Sequence, residues 1–309
     1  MLGFAYRGLS LVKPVRGLTK YAAALPAIYL CCSVGVALAE NRGEIKELDL
    51  PLVKNVGDEY SYSNRISTIG ISLGKSIYDV ERIIEKEKGF REIRASKSKL
   101  QMEYHEDNIK YLISSRDFTG TLVYQREYSM IREEAQFLFT SPASGSVLYA
   151  IVRNIHYKNE DRSRLADVVI RDLENKYRKL SQKKGNERGV IGVWFFDARG
   201  GLVSNTSLEK EGSICKSFPS YYDLWTFSKE EESEKENRYI KFSDECTASI
   251  LASIANKSNI DPYEINILIL GGDIVRRALE VEYSLLVSEA AARIKSAPKG
   301  AGIAPIPKL

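Results

Sequence analysis

The residues with the clearest chemical potential lie between Gly70 and Gly89, which read Gly-Ile-Ser-Leu-Gly-Lys-Ser-Ile-Tyr-Asp-Val-Glu-Arg-Ile-Ile-Glu-Lys-Glu-Lys-Gly. Gly70, Ser72 and Gly74 satisfy Gly-x-Ser-x-Gly, the pattern of a nucleophile elbow, in which a strained strand-to-helix turn presents a serine hydroxyl to an acyl carbon. A triad built on Ser72 would need a histidine base, and the chain holds only His105 and His156. In α/β-hydrolases several strands and an oxyanion loop precede the nucleophile, whereas only a short, irregular stretch from Glu40 does so here. The same residues approach a phosphate loop, Gly-x-x-x-Gly-Lys-Ser. A Walker A loop has one more residue before its Gly-Lys pair, so that successive backbone N–H groups wrap the phosphates. The third reading is structural and is the one favoured: a glycine-bounded turn leading into an amphipathic helix. Ser76 and Asp79 form a capping-box-like start, Ile77, Val80, Ile83 and Ile84 share one face, and Gly89 offers a left-handed stop.

Metal chemistry finds little support. A zinc site needs three or four converging ligands, and the two histidines are far apart. His105 falls on a polar strand face with Gln101 and Glu103, and His156 ends its strand, so both are expected at the surface. No metal and no cofactor is expected.

Cysteine usage depends on where the protein resides. Arg7, Lys13, Arg16 and Lys20, with no acid among them, precede an apolar run from Tyr21 and then Ala37-Leu38-Ala39. This is the layout of a cleavable signal peptide over residues 1–39, which predicts export and a mature start at Glu40. The alternative is an uncleaved inner-membrane anchor, since residues 22–39 reach the lower limit of a spanning helix. Removing the leader leaves Cys215 and Cys246, and an even pair in an exported chain reads as a disulfide. Closing that loop would stabilise the fold by roughly 3–4 kcal/mol. A reactive thiol or a metal ligand is the weaker alternative. The loop carries Phe218, Tyr221, Tyr222, Trp225 and Phe227, followed by a mostly acidic run from Lys229 to Glu236.

The chain carries 45 basic and 41 acidic residues, and loss of the four leader bases leaves 41 of each. A neutral chain lacks the clustered positive charge that neutralises phosphates, so no nucleic-acid partner is expected.

The elements that must position these residues follow from periodicity. After a polar lead (40–64), residues 90–157 alternate with period two: Leu100, Met102 and Tyr104; Ala135, Phe137 and Phe139; Val147, Tyr149 and Ile151. A second helix is expected from Ser163, with Leu165, Val168, Val169, Leu173 and Tyr177 apolar and Lys183-Lys184-Gly185 as its end. Strands return at 190–197, 238–243, 247–255 and 264–270. A last helix capped by Asp273 runs to Ser296, with Val275, Leu279, Leu286 and Ala290 on one face, before a flexible tail (297–309). The expected fold class is therefore α+β: two tandem helix-plus-antiparallel-sheet modules, 65–157 and 158–296, the second holding the disulfide. The basic stretch from Lys176 to Arg188 could meet anionic lipid or glycan, though a solvated helix end is the preferred reading.

Gly70 to Gly74 with the helix to Gly89, together with Lys176-Tyr177, Trp194 to Asp197, Cys215 and Cys246, resemble exported α-proteobacterial proteins of unknown function. More distantly they resemble the small-protein-A / outer-membrane-lipoprotein-A group, with its β-lactamase-inhibitor-protein-like fold. The resemblance implies non-catalytic modules that bind protein surfaces. The chain departs from the lipoprotein members of that group: Leu30 and Cys31 stand before Cys31 and Cys32 where a small residue belongs. The sequence thus predicts a non-enzymatic periplasmic or secreted envelope protein that binds a protein or envelope component. The alternatives are a secreted serine hydrolase using Ser72 and an inner-membrane-anchored assembly component.

Overall fold

The computed structural model describes residues 42–59, 66–106, 109–129, 131–157, 162–178, 181–186, 189–197, 199–203, 246–255 and 263–296. The fold is mixed α and β, and mostly sheet. In chain order the strands are β1 (Arg42–Leu48), β2 (Ser67–Thr68), β3 (Ile71–Ser72), β4 (Arg91–Ser98), β5 (Gln101–Glu106), β6 (Ile109–Ser115), β7 (Phe118–Tyr128), β8 (Ile131–Phe139), β9 (Leu148–Tyr157), β10 (Gln182–Asn186), β11 (Gly189–Phe196), β12 (Ala248–Ala255) and β13 (Tyr263–Gly271). The helices are α1 (Ile77–Ile84), α2 (Arg162–Tyr177) and α3 (Gly272–Ser296).

Eight strands form one antiparallel sheet in the order β10-β11-β12-β13-β9-β8-β7-β4. Strands from both halves of the chain meet in it, because β13 pairs along the length of β9. One row of side chains explains why they join. Leu122, Phe137, Ile151, Ile269, Ile250 and Trp194 are successive cross-strand partners, and all are buried. Period-two alternation puts each of them on the same face, so a single apolar band crosses six strands. At about 25 cal/mol per Å2 of apolar surface removed from water, such a band outweighs the entropy of bringing distant strands together.

That face is covered by two helices and a hairpin, with the start of α3 beside them. Helix α1 contributes Val80 and Ile84, α2 contributes Ile170 and Tyr177, and the β2–β3 hairpin contributes Ile71. The cap expected for α1 is formed: Ser76 Oγ accepts from the Asp79 N–H at 3.2 Å. Helix α2 turns Ile170 inward while Val168 is 44% exposed, so its apolar stripe runs through Val169, Ile170, Leu173 and Tyr177. It also ends earlier than the sequence suggests. Arg178 takes φ +74°, a left-handed stop, and Lys183-Lys184-Gly185 instead lie in β10, opposite Gly192, Ile191 and Val190. Pairing with β11 wins there over the helical C-cap pattern.

A second, three-stranded sheet, β1-β6-β5, has β1 and β6 parallel and packs Ile45, Leu100, Met102 and Ile113 against Leu286 and Ala290 of α3. Helix α3 thus leaves the large sheet through Ile274 and Ala278 and reaches the small one. Its buried stripe is Ile274, Ala278, Glu282, Leu286 and Ala290 rather than one through Leu279, which is 37% exposed. Among the described residues no helix is long and apolar enough to cross a membrane. The leader expected over 1–39, the aromatic and acidic loop, the strand expected at 238–243 and the tail lie outside the described residues.

Candidate functional site

The end of α2 builds one side of an open cleft. Tyr177, at its last turn, packs edge-on against Trp194 with ring centroids 6.1 Å apart. Its hydroxyl donates to the Ser67 carbonyl of β2, and the Trp194 indole N–H donates to the Arg178 carbonyl at 2.9 Å. Two bonds therefore hold the helix end to the hairpin and to β11, and they leave Lys176 and Arg178 at the rim.

The opposite side is the turn after β11. Asp197 Oδ1 accepts from the backbone N–H groups of Arg199 (2.8 Å) and Gly201 (2.7 Å), and Gly200 at φ +70° donates to the Asp197 carbonyl. A Cβ at position 201 would lie 2.8 Å from Asp197 Oδ2, so a larger residue there would have to displace that carboxylate. The turn brings Leu202 back alongside Phe196 as an isolated bridge. Ser67, Lys176, Tyr177, Arg178, Phe196, Gly200 and Leu202 enclose a volume of about 460 Å3.

Beneath the hairpin lies a charged network. Glu133 of β8 is fully buried and is shared by two arginines: Arg126 of β7 donates from Nε at 2.6 Å, and Arg153 of β9 donates to the other oxygen. Arg153 also reaches Thr68 Oγ1 of the hairpin at 3.3 Å. The Arg126 guanidinium sits 4.4 Å from the centre of the Phe90 ring and 5.2 Å from that of Tyr128. One carboxylate facing two guanidiniums leaves the network with surplus positive charge, and this charge reaches the cleft. Lys176 is exposed by surface area but partly desolvated by its surroundings. That desolvation, and secondarily Arg153, lower its pKa below the usual lysine value. Burial pushes the Tyr177 phenol up, with Arg153 opposing, so the hydroxyl stays a donor at neutral pH.

Lys176-Tyr177 and Trp194 to Asp197 fall at the cleft, whereas the candidate nucleophile, bases and cysteines lie apart from one another. Ser72 is buried in β3, opposite Ser67 of β2, with four residues between it and the first turn of α1. The left-handed residues are Ile69 and Gly70, which form the two-residue turn of the hairpin, and Gly74. Ser72 itself is not at a strained apex, so the elbow geometry is not formed. His156 lies on β9 between Arg132 and Glu264, and alternation places it on the face of the sheet opposite Arg153 and the hairpin. His105 belongs to β5, in the other sheet. The phosphate-loop reading fails on backbone geometry as well: the Gly74 N–H donates to the Leu148 carbonyl, and Lys75 accepts from Leu148. Cys246 is buried beside Phe195, while Cys215 falls outside the described residues. Among the described residues no three His, Cys, Asp or Glu side chains converge on a metal position.

Sequence reading passed over Arg153, Glu133 and Arg126, and treated Lys176 as part of a solvated helix end. The available signal was the charged pair Arg132-Glu133 and Arg153 interrupting strands that otherwise alternate apolar and polar residues. Comparison with described protein families, curated proteins and solved structures finds no match, so the functional reading rests on the geometry of the cleft itself.

Proposed function

We propose that this chain is a non-catalytic exported protein of the cell envelope that acts by binding, with the cleft between α2, the β2–β3 hairpin and the turn after β11 as its recognition site. The observation carrying this reading is that the cleft is preformed on regular elements. The Tyr177–Ser67, Trp194–Arg178 and Arg153–Thr68 bonds fix its walls without a ligand. A site built this way loses little conformational entropy on binding. Its charged lining groups, Lys176 and Arg178, are suited to attracting and orienting a ligand. In this reading residues 1–39 are a signal peptide and Cys215 and Cys246 are paired. Residues 65–157 and 158–296 are then related helix-plus-sheet units of the small-protein-A kind, fused through one sheet.

The test is site-specific photocrosslinking in the native host. A benzophenone amino acid replaces exposed Arg199, next in sequence to the cleft-lining Gly200, in the parent chain and in a Leu202→Trp variant with a larger ring in the cleft. An envelope-fraction adduct that disappears in the Leu202→Trp background, at unchanged thermal stability, is the expected result. Identical adducts from both chains would mean that binding occurs elsewhere.

A further inference from the structure

Away from the cleft, one short turn gathers three elements. Between β8 and β9 the chain makes a single 3-10 turn, Pro142–Ser144, closed by Gly145 at φ +100°. The Ala143 carbonyl accepts from the Val53 and Lys54 N–H groups, at 2.9 and 3.1 Å, and so ties down the segment that follows β1. A Cβ on Gly145 would lie 2.7 Å from Asn55 Oδ1, which shows how closely that segment approaches the turn. From α3, Glu282 reaches in and accepts from the Ser141 N–H at 2.9 Å and the Ser144 hydroxyl at 2.6 Å. Glu282 stands between Ile274 and Ala278, which pack with the large sheet, and Leu286 and Ala290, which pack with the small one. The turn therefore clasps α3 and residues 53–58 together where the two sheets meet.

This clasp suits one protonation state of Glu282 better than the other. A carboxylate can accept about four hydrogen bonds, whereas among the described residues Glu282 finds two donors, both neutral and both on the same oxygen, Oε1. That is the arrangement a neutral carboxyl needs, with Oε1 as its carbonyl oxygen and the proton on Oε2. Ser141 Oγ, buried in the same turn, has no partner and adds no donor to a charged form. No cation compensates either. The turn has no titratable side chain, and β9 offers the Tyr149 phenol, whose own pKa burial raises. Lys54 and Asp58 of the segment after β1 are exposed. On α3 the neighbours along the inner stripe, Ala278 and Leu286, are apolar, Arg276 is paired with Asp273 and Glu280, and Arg277 with Asp273. Burial is accordingly the main influence on the carboxyl, and it favours the neutral form, with the serine bonds opposing.

We infer that Glu282 is a proton-held clasp. With its carboxyl neutral, α3 and residues 53–58 stay pinned to the β8–β9 turn, and loss of that proton to solvent lets the junction open while the eight-stranded sheet stays folded. The sheet survives because its apolar band from Leu122 to Trp194 includes no residue of the turn. The sign follows from linkage. The closed junction holds the proton more tightly than an open one, so closure is fully favoured below the ordinary value of 4.5 and weakens as pH rises through the raised one. This device is independent of the cleft and of what the cleft binds.

Hydrogen exchange of the full chain tests it, read on fragments by mass spectrometry across a pH series and corrected for the intrinsic pH dependence of exchange. As pH rises, fragments covering residues 50–58 and 139–147 are expected to lose protection by roughly fivefold or more relative to fragments of β11 and β13. Glu282→Gln keeps an acceptor for both donors and cannot ionise, so its protection at the same two fragments is expected to track the sheet at every pH. Protection that does not fall at these fragments in the wild type, or that falls equally everywhere, overturns the inference. So does the same local loss in Glu282→Gln, because another group would then be titrating. Should the variant fail to fold, the wild-type comparison of junction with sheet decides alone.

Discussion

Two glutamates are buried to nearly the same depth, and the protein treats them in opposite ways. Glu133, with no exposed surface, is held between the guanidiniums of Arg126 and Arg153. Glu282, 4% exposed on the inner stripe of α3, meets no cation among the described residues: it accepts from the Ser141 N–H at 2.9 Å and the Ser144 hydroxyl at 2.6 Å. A buried carboxylate loses several kcal/mol of hydration, which opposite charge restores more fully than neutral donors do. Burial accordingly raises the Glu282 pKa above the usual carboxylate range, with the serine bonds opposing, and Glu282 in turn adds to the upward push on the buried Tyr149 phenol. Glu133 thus joins three strands through its two arginines, and Glu282, its pKa raised, joins a helix to a turn. The difference also marks function, since the surplus charge of the arginine network lies behind the cleft wall, while the Glu282 site closes on itself.

The largest effect follows from breaking the first arrangement. Glu133→Ala leaves two partly buried guanidiniums facing each other with no counter-charge. The loss is expected to be about 3 kcal/mol, at the lower end for a broken buried pair because both arginines retain some contact with water. Urea denaturation measures it. A loss under about 1 kcal/mol would mean that the network contributes little beyond packing.

Glu282→Ala is expected to cost somewhat less, about 2 kcal/mol, from one unpaired backbone N–H and a lost helix contact. The distinguishing experiment is Glu282→Gln across a pH series. The folded state holds the Glu282 proton more tightly than the unfolded chain does, so below about pH 4.5 both are protonated and nothing is lost. As pH rises from there to the raised folded value, the unfolded chain releases its proton first and the wild type loses stability. Glutamine keeps an acceptor for Ser141 and Ser144, and its amide can donate to Ser141 Oγ, which is buried without a partner. The variant should therefore gain on the wild type as pH rises through this window. A pH-independent difference would mean that Glu282 titrates normally.

The same contrast shows what the sequence could disclose. Alternation made β5, β8 and β9 legible, and the Ser76–Asp79 signal located the start of α1, because in each case neighbouring residues decide the outcome. Helix α3 was legible in extent but not in rotation. Its inner stripe includes a glutamate, and hydrophobic periodicity therefore chose Leu279 over Glu282. Lys183-Lys184-Gly185 matched a helix C-cap locally and became β10 because of a partner strand. The pairing of β9 with β13, which places strands from both halves in one sheet, is invisible to any local pattern. The cleft was hidden for the same reason: Ser67, Lys176 and Leu202 are far apart in sequence and meet only once the sheet is assembled.

The smallest expected effect is also the most specific. Among the described residues Glu133 is linked to the hairpin through Arg153, which bonds Thr68. In a double-mutant cycle, Thr68→Val and Glu133→Gln should therefore be non-additive by about 0.5–1 kcal/mol, because releasing Arg153 from either end weakens its hold at the other. Thr68→Val and Glu282→Gln, which act through separate networks, should add within about 0.3–0.5 kcal/mol. Additivity in both cycles would detach the hairpin from the arginine network, leaving the Tyr177–Ser67 bond as its tie to the helix end and removing the link between the buried charge and the cleft wall.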